Sequence, residues 1–185
     1  MGLPARKKPT RSNQPPKHSF SDQLQPPTLE ELAWIQTTSD KEFSRHHTKK
    51  QLPKYLANKA SKQLPTSHVV VRNGTKLLGY HRLFPSTYEH MKAFLNKEIT
   101  QEELIKDILD KELKFPTSTS IYLCEAFIQP QNHLQGLAIK SAKHALAQTN
   151  APPHASLYAW PTSNAGLQAA KKLAKETNRA LYLRR

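Results

Sequence analysis

The sequence is poor in cysteine, in glycine and in long apolar runs. Of its 185 residues one is cysteine, Cys124, and five are glycine. A single cysteine excludes an internal disulfide and a zinc site made of cysteines alone, so we expect a reducing compartment such as the cytoplasm. No apolar run approaches the roughly 18 residues that a membrane-spanning helix needs, and the basic start is followed by prolines. Neither a spanning helix, a secretory signal nor a membrane partner is therefore expected.

Acidic side chains are also scarce. The chain has 14 Asp and Glu against 28 Lys and Arg, which gives a formal net charge of +14. A basic protein of this kind attracts anionic partners such as nucleic acid, acidic membrane or a phosphorylated small molecule. None of the histidines stands at a zinc-ligand spacing from cysteine or acids, so no metal is expected. Charge by itself does not choose among the anionic partners.

Apolar residues make up 37% of the chain, which is low for a globular protein and predicts that part of it is unfolded. Residues 1–28 contain six of the 14 prolines, together with a cluster of basic residues and a single acid, Asp22. We therefore predict a disordered, basic, proline-rich tail at 1–28 and one folded domain at 29–185.

Helical and strand patterns alternate along the predicted domain. A capping box at Thr28 and Glu31 begins a helix, and Asn73-Gly74 between two apolar runs predicts a hairpin of strands at 68–72 and 76–84. Most of the acids after residue 66 lie at 86–114, which predicts an acidic helical insertion. The remaining predictions are helices at 40–52, 54–62, 87–95, 100–113, 136–148 and 165–175, and strands at 121–128, 157–160 and 180–183.

The segment after the strand at 121–128 has the pattern of an anion site. The strand ends in Ile128-Gln129-Pro130, and a short turn then leads through Gly136 into a helix. The first turn of a helix exposes backbone N–H groups that lack internal partners, and the helix dipole adds positive potential there. Gly136 allows close approach of a ligand to the backbone. This arrangement favours a diphosphate ligand.

Two motifs at this turn resemble the GNAT superfamily of acyl-coenzyme A N-acyltransferases. The family pattern is an apolar strand ending Val-x-Pro, then (Arg/Gln)-x-x-Gly-x-(Gly/Ala), then a helix. Here the strand ends Ile128-Gln129-Pro130 and the turn reads His133-Leu134-Gln135-Gly136-Leu137-Ala138, with His133 in place of Arg or Gln. In the family's later Asn-x-x-Ala-x-x-Leu-Tyr segment, Asn164 matches and the tyrosine does not. The resemblance covers about residues 40–183.

The resemblance implies a fold, a co-substrate and a set of binding residues. It implies a mixed α/β (α+β) GNAT-like fold, in which a central mixed sheet is flanked by helices and its fourth and fifth strands splay apart. The gap would receive the pantetheine arm of acetyl-CoA. The residues implied to bind the coenzyme are Phe127, Ile128, Gln129, His133, Gln135, Gly136, Leu137, Ala138, Asn164 and Lys171.

The resemblance also implies transfer of an acetyl group to an amine by direct attack, which needs a base to take the proton of the amine. Glu125 is the candidate catalytic residue, because it is the one acid between Glu112 and Glu176 and burial in an apolar strand disfavours its charged form. An ion pair of Glu125 with a neighbouring Lys or Arg is an equally weighted alternative. With the family tyrosine missing, Tyr158, Tyr182 or water would serve as the acid.

The acceptor is not identified by the sequence, and the basic surface is compatible with an acidic or nucleic-acid-associated one. A second class of function is a non-catalytic nucleic-acid-binding protein whose helix terminus holds backbone phosphate. The sequence lacks the aromatic strand motif of common RNA-binding sheets, and this absence argues against the nucleic-acid-binding alternative. A third alternative is a degenerate GNAT fold that binds coenzyme A without turnover.

Overall fold

A six-stranded mixed sheet with helices on both faces organises the computed structural model, which describes residues 18–21, 26–43, 52–130, 132 and 136–184. The strands are β1 His18–Phe20, β2 His68–Asn73, β3 Lys76–Ser86, β4 Ser120–Ile128, β5 Ser156–Ala159 and β6 Leu181–Leu183. The helices are α1 Leu29–Phe43, α2 Lys54–Gln63, α3 Tyr88–Leu95, α4 Gln101–Asp110, α5 Leu137–Gln148 and α6 Asn164–Thr177, with 3-10 turns at Pro65–Ser67 and Phe115–Thr117.

The strands lie in the sheet in the order in which they occur along the chain. β1 to β4 pair antiparallel, whereas β4, β5 and β6 pair parallel. Parallel neighbours need a crossover, which α5 and α6 supply, and the antiparallel β2–β3 pair needs only the tight turn at Gly74 with φ +59°. The predicted hairpin, the mixed α/β character and the element order from residue 68 onward are confirmed.

The N-terminal region differs from its prediction in two places. β1 lies inside the range 1–28, where the sequence favoured disorder, and it pairs with β2 through Phe20 opposite Val71. A strand of three residues carries almost no local signal, because its partner lies some fifty residues away in the chain. The Thr28–Glu31 capping box is present, and α1 then runs unbroken to Phe43, past the point where a second helix was predicted. The rest of 40–52 falls largely outside the described residues.

The acidic segment at 86–114 forms α3 and α4 and is part of the main core. Leu104, Ile105 and Ile108 of α4 are fully buried against α2 and the sheet. The acids of α4 are half-buried or exposed, and Asp110 accepts from Lys59 Nζ of α2 at 2.6 Å. The predicted insertion is therefore helical, and it completes one face of the sheet instead of extending away from it.

The helices divide between the two faces of the sheet. On the α1–α4 face, Tyr80 and Phe84 of β3 point toward α1, α2 and α4. On the α5–α6 face, Leu83 of β3 and Leu157 of β5 pack against Leu173 of α6 and the small side chains of α5. The alternation of side chains along each strand produces these two separate cores.

Replacement of Gly79 tests how closely β3 and β4 approach each other. A Cβ at Gly79 would clash with the carbonyl oxygen of Phe127, so Gly79→Ala is expected to lower the free energy of unfolding by about 2 kcal/mol through overpacking. Gly74→Ala is the control, since a Cβ there meets no atom within 4 Å and only the positive φ opposes it, at a cost of about 1 kcal/mol. Urea unfolding of both variants measures the difference, and equal losses would contradict the close approach.

Candidate functional site

β4 and β5 separate at the middle of β4. Their parallel register runs from Ser120 opposite Ser156 to Leu123 opposite Ala159, where β5 ends. β4 continues through residues 124–128 and stays paired with β3, with Gly79 opposite Ile128. Beyond Leu123, one edge of β4 therefore has no β5 residue paired with it and faces a gap.

A bulge in β4 lies at the point of separation. Arg82 of β3 is opposite Glu125, whereas the next residue, Leu83, is opposite Leu123, so Cys124 is an extra residue in β4. A bulge bends its strand and increases its local twist. The bend and the end of β5 together explain why the two strands diverge here.

A cleft lies in the gap between β4 and β5. It has a volume of about 120 Å³ and is lined by both strands and by α5 and α6. Its wall includes Leu123 and Ala126 of β4, Ala138 and Ala142 of α5, Trp160 after β5, and Ala170 of α6. Most of these side chains are small, so a narrow, extended, mainly apolar chain would fit the cleft.

The N-terminus of α5 lies beside the cleft. Gly136 is the N-cap residue with φ +65°, and no side chain of the described residues caps the helix. A Cβ at Gly136 would meet no atom within 4 Å, so space does not require glycine at this position. The left-handed backbone conformation does favour glycine there. The N–H groups of Leu137 and Ala138 in the first turn are suited to an anionic ligand.

The residues implied to bind the coenzyme occupy different surroundings. Ala138 lines the cleft. Leu137 and Ile128 are buried in one apolar cluster and are not part of the lining of the cleft. Phe127 packs on the α1–α4 face, with its ring 6.0 Å from that of Tyr80. Gln129 extends the β3–β4 pairing, because its N–H donates to Leu78 and its Nε2 donates to the Leu77 carbonyl at 3.0 Å.

Asn164 and Lys171 lie on the exposed side of α6. Ser163 is the N-cap residue of this helix and accepts from the N–H of Gly166, whereas Asn164 Oδ1 accepts from Gln168 at 3.4 Å. Neither residue belongs to the lining of the cleft, in which Ser163 and Gly166 take part instead. The remaining implied residues, His133 and Gln135, lie outside the described residues.

Glu125 forms a buried ion pair, which is the second of the two alternatives that the sequence left open. Its Oε2 accepts from Arg82 Nη1 at 3.0 Å, from Ser39 Oγ of α1 at 3.1 Å and from Tyr80 Oη at 3.5 Å. Both charged side chains are 1% exposed. Glu125 also belongs to the lining of the cleft, but its Oε2, which already accepts three donors, is poorly placed to remove a proton from a substrate.

The two tyrosines considered as acids do not line the cleft. Tyr158 stacks on Tyr122 with ring centroids 5.1 Å apart, and burial raises the pKa of Tyr158 far above its ordinary value. Tyr182 is 43% exposed on β6, at the edge of the sheet. Neither phenol is positioned to protonate a leaving group in the cleft.

One polar pair at the cleft was not singled out by the sequence. His81 of β3 lines the cleft, and its Nε2 lies 2.7 Å from Oγ of Ser141 on α5. Both residues are buried, and burial lowers the pKa of His81 to about 4. Alternation along β3 puts His81 on the same face as Leu83, but no local pattern reveals that α5 will bring a serine hydroxyl to it.

Within the described ranges, no group of three or more His, Cys, Asp or Glu side chains is arranged to hold a metal ion. No helix of those ranges combines the length and the apolar character required to span a bilayer.

No model of a known protein family matches the chain, and no curated protein matches it.

Removal of the Glu125 carboxylate tests the ion pair. Glu125→Ala leaves the Arg82 guanidinium buried without its anion, so we expect the free energy of unfolding to fall by about 3 to 5 kcal/mol. Glu176→Ala is the control, because Glu176 pairs with Lys143 at the surface and its loss should change stability far less. Urea unfolding compares the two, and a small loss for Glu125→Ala would show that the pair does not form.

Proposed function

We propose that this protein is an N-acyltransferase of the GNAT type, which transfers an acetyl group from acetyl-CoA to an amine of an acceptor. One observation carries the proposal: parallel pairing of β4 and β5 stops at Leu123 and Ala159, while β4 runs on beside a cleft. The gap leaves the edge of β4 facing a space that a linear chain with amide groups could occupy. The pantetheine arm is such a chain.

The N-terminus of α5 gives the second point of attachment in this proposal. The first-turn N–H groups after Gly136 would bind the diphosphate of the coenzyme, where helix dipole and N–H groups act together. Lys140, exposed on the same helix, adds positive potential near this end. Lys143 adds less, because it pairs with Glu176 at 3.2 Å.

In this proposal, water carries the protons of the reaction. In the reaction the amine nitrogen forms a bond to the thioester carbonyl carbon, the carbon–sulfur bond breaks, and the amine loses a proton. Glu125 is held by Arg82, Ser39 and Tyr80, so we assign removal of that proton to water. Since Tyr158 and Tyr182 lie away from the cleft, water also protonates the leaving thiolate.

Isothermal titration with acetyl-CoA and with desulfo-coenzyme A tests the proposal. Ala126 is an exposed residue that lines the cleft, so Ala126→Phe should fill the space and weaken binding by more than about tenfold. Ala147→Phe, at an exposed position of α5 outside the cleft lining, should bind as the unaltered protein does. If neither compound binds below millimolar concentration, the transferase proposal fails.

The pH dependence of turnover tests the proton route. We expect the rate of Glu125→Gln to fall toward low pH as it does in the unaltered protein, because this acid limb of the pH–rate profile would report protonation of the amine itself. Release of thiol from acetyl-CoA in the presence of ethylamine gives the rate, and circular dichroism checks that the variant is folded. Disappearance of the acid limb in Glu125→Gln would identify Glu125 as the base.

A further inference from the structure

His81 is a polar side chain of β3 in the mainly apolar lining of the cleft. It is opposite Ala126 in the β3–β4 register, and it is 4% exposed. Its ring points toward α5, where Ser141 is fully buried. A buried histidine beside an apolar cleft needs hydrogen-bond partners for both ring nitrogens, or it leaves one of them to a ligand.

The hydrogen bonds of Ser141 fix which ring nitrogen of His81 carries the proton. Ser141 Oγ is 2.6 Å from the carbonyl oxygen of Leu137, which can only accept, so the hydroxyl donates its single proton there. The hydroxyl must then accept from His81 Nε2 at 2.7 Å. His81 is therefore the Nε2–H tautomer, and Nδ1 carries a lone pair.

Nδ1 of His81 has no hydrogen-bond partner among the described residues. It is also not one of the fully buried nitrogens without a partner, which include His68 Nε2 and Arg82 Nε. Nδ1 is thus an acceptor that is not completely buried, on a side chain that lines the cleft. Leu123, Ala126 and Ala142 supply apolar surface in the lining of the same cleft.

We propose that Nδ1 of His81 accepts a hydrogen bond from an amide N–H of the pantetheine arm of the bound coenzyme. This inference rests on the proposed function. An amide N–H that enters an apolar cleft must find an acceptor or lose the hydrogen bond that it made to water. His81 supplies that acceptor, and Ser141 is a positioning residue that holds the required tautomer.

The protonation state of His81 is compatible with this role. Burial lowers its pKa to about 4, so the ring is neutral near pH 7 and Nδ1 remains an acceptor. Protonation of Nδ1 would turn the same atom into a donor, which could not bind an amide N–H.

Two-dimensional ¹H–¹⁵N NMR of the histidine side chains tests the tautomer and the contact directly. We expect His81 to show an unprotonated Nδ1, whose signal moves upfield when coenzyme A is added. Ser141→Ala removes the acceptor of Nε2–H and should increase the Nδ1–H form. An Nδ1–H tautomer in the unaltered protein, or an Nδ1 signal that coenzyme A leaves in place, would overturn the inference.

Titration of His81→Phe with two ligands gives an independent test. Coenzyme A should bind about 5- to 10-fold more weakly than to the unaltered protein, whereas adenosine 3′,5′-bisphosphate, which lacks the arm, should bind equally well. His68→Phe is the matched control, because His68 is another buried histidine that bonds a serine hydroxyl, at 2.7 Å, but lies outside the cleft lining.

The outcomes separate this inference from the function on which it rests. If coenzyme A does not bind the unaltered protein, the proposed function fails. If it binds His81→Phe as tightly as His68→Phe, the function stands and the inference about His81 is wrong. Should His81→Phe not fold, the NMR measurements on the unaltered protein and on Ser141→Ala decide the question.

Discussion

The extra residue at Cys124 is the constraint on which the candidate site depends. Because strand side chains alternate between faces, one inserted residue places Cys124 and Glu125 on the same face and sets the direction of every later side chain in β4. Glu125 then meets Arg82, and Ala126 turns toward the cleft. The bend occurs where β5 ends, so one local irregularity accounts for both the ion pair and the gap.

The Arg82–Glu125 ion pair joins β3, β4 and α1. It lies on the α1–α4 face and is joined to α1 through Ser39 and through Gln36, which accepts from Arg82 Nη2 at 3.3 Å. A buried pair of this kind contributes little net stability compared with apolar packing, but loss of one member is costly. These contacts join α1 to the sheet, and Glu125 also takes part in the lining of the cleft together with His81.

The distribution of charge is consistent with an anionic ligand on the α5–α6 side. Acids of α4 meet basic or phenolic groups of α2, as in Lys59 with Asp110 and Tyr55 with Glu102. On α5 and α6 the described acid is Glu176, which pairs with Lys143 and lies 3.9 Å from Lys172. The excess of lysine on α5 and α6 gives this side of the protein a positive potential, which would attract a diphosphate.

Local patterns were enough to predict the hairpin at Gly74, the capped helices, the buried strand β4 and the start of α5 after Gly136, because these depend on φ preference, capping and periodicity within a few residues. Three further facts became visible in the folded chain: Glu125 pairs with Arg82, Asn164 and Lys171 lie outside the cleft, and His81 meets Ser141. Those contacts join residues far apart in the chain, and they depend on a bulge and on helix packing, which no short pattern encodes.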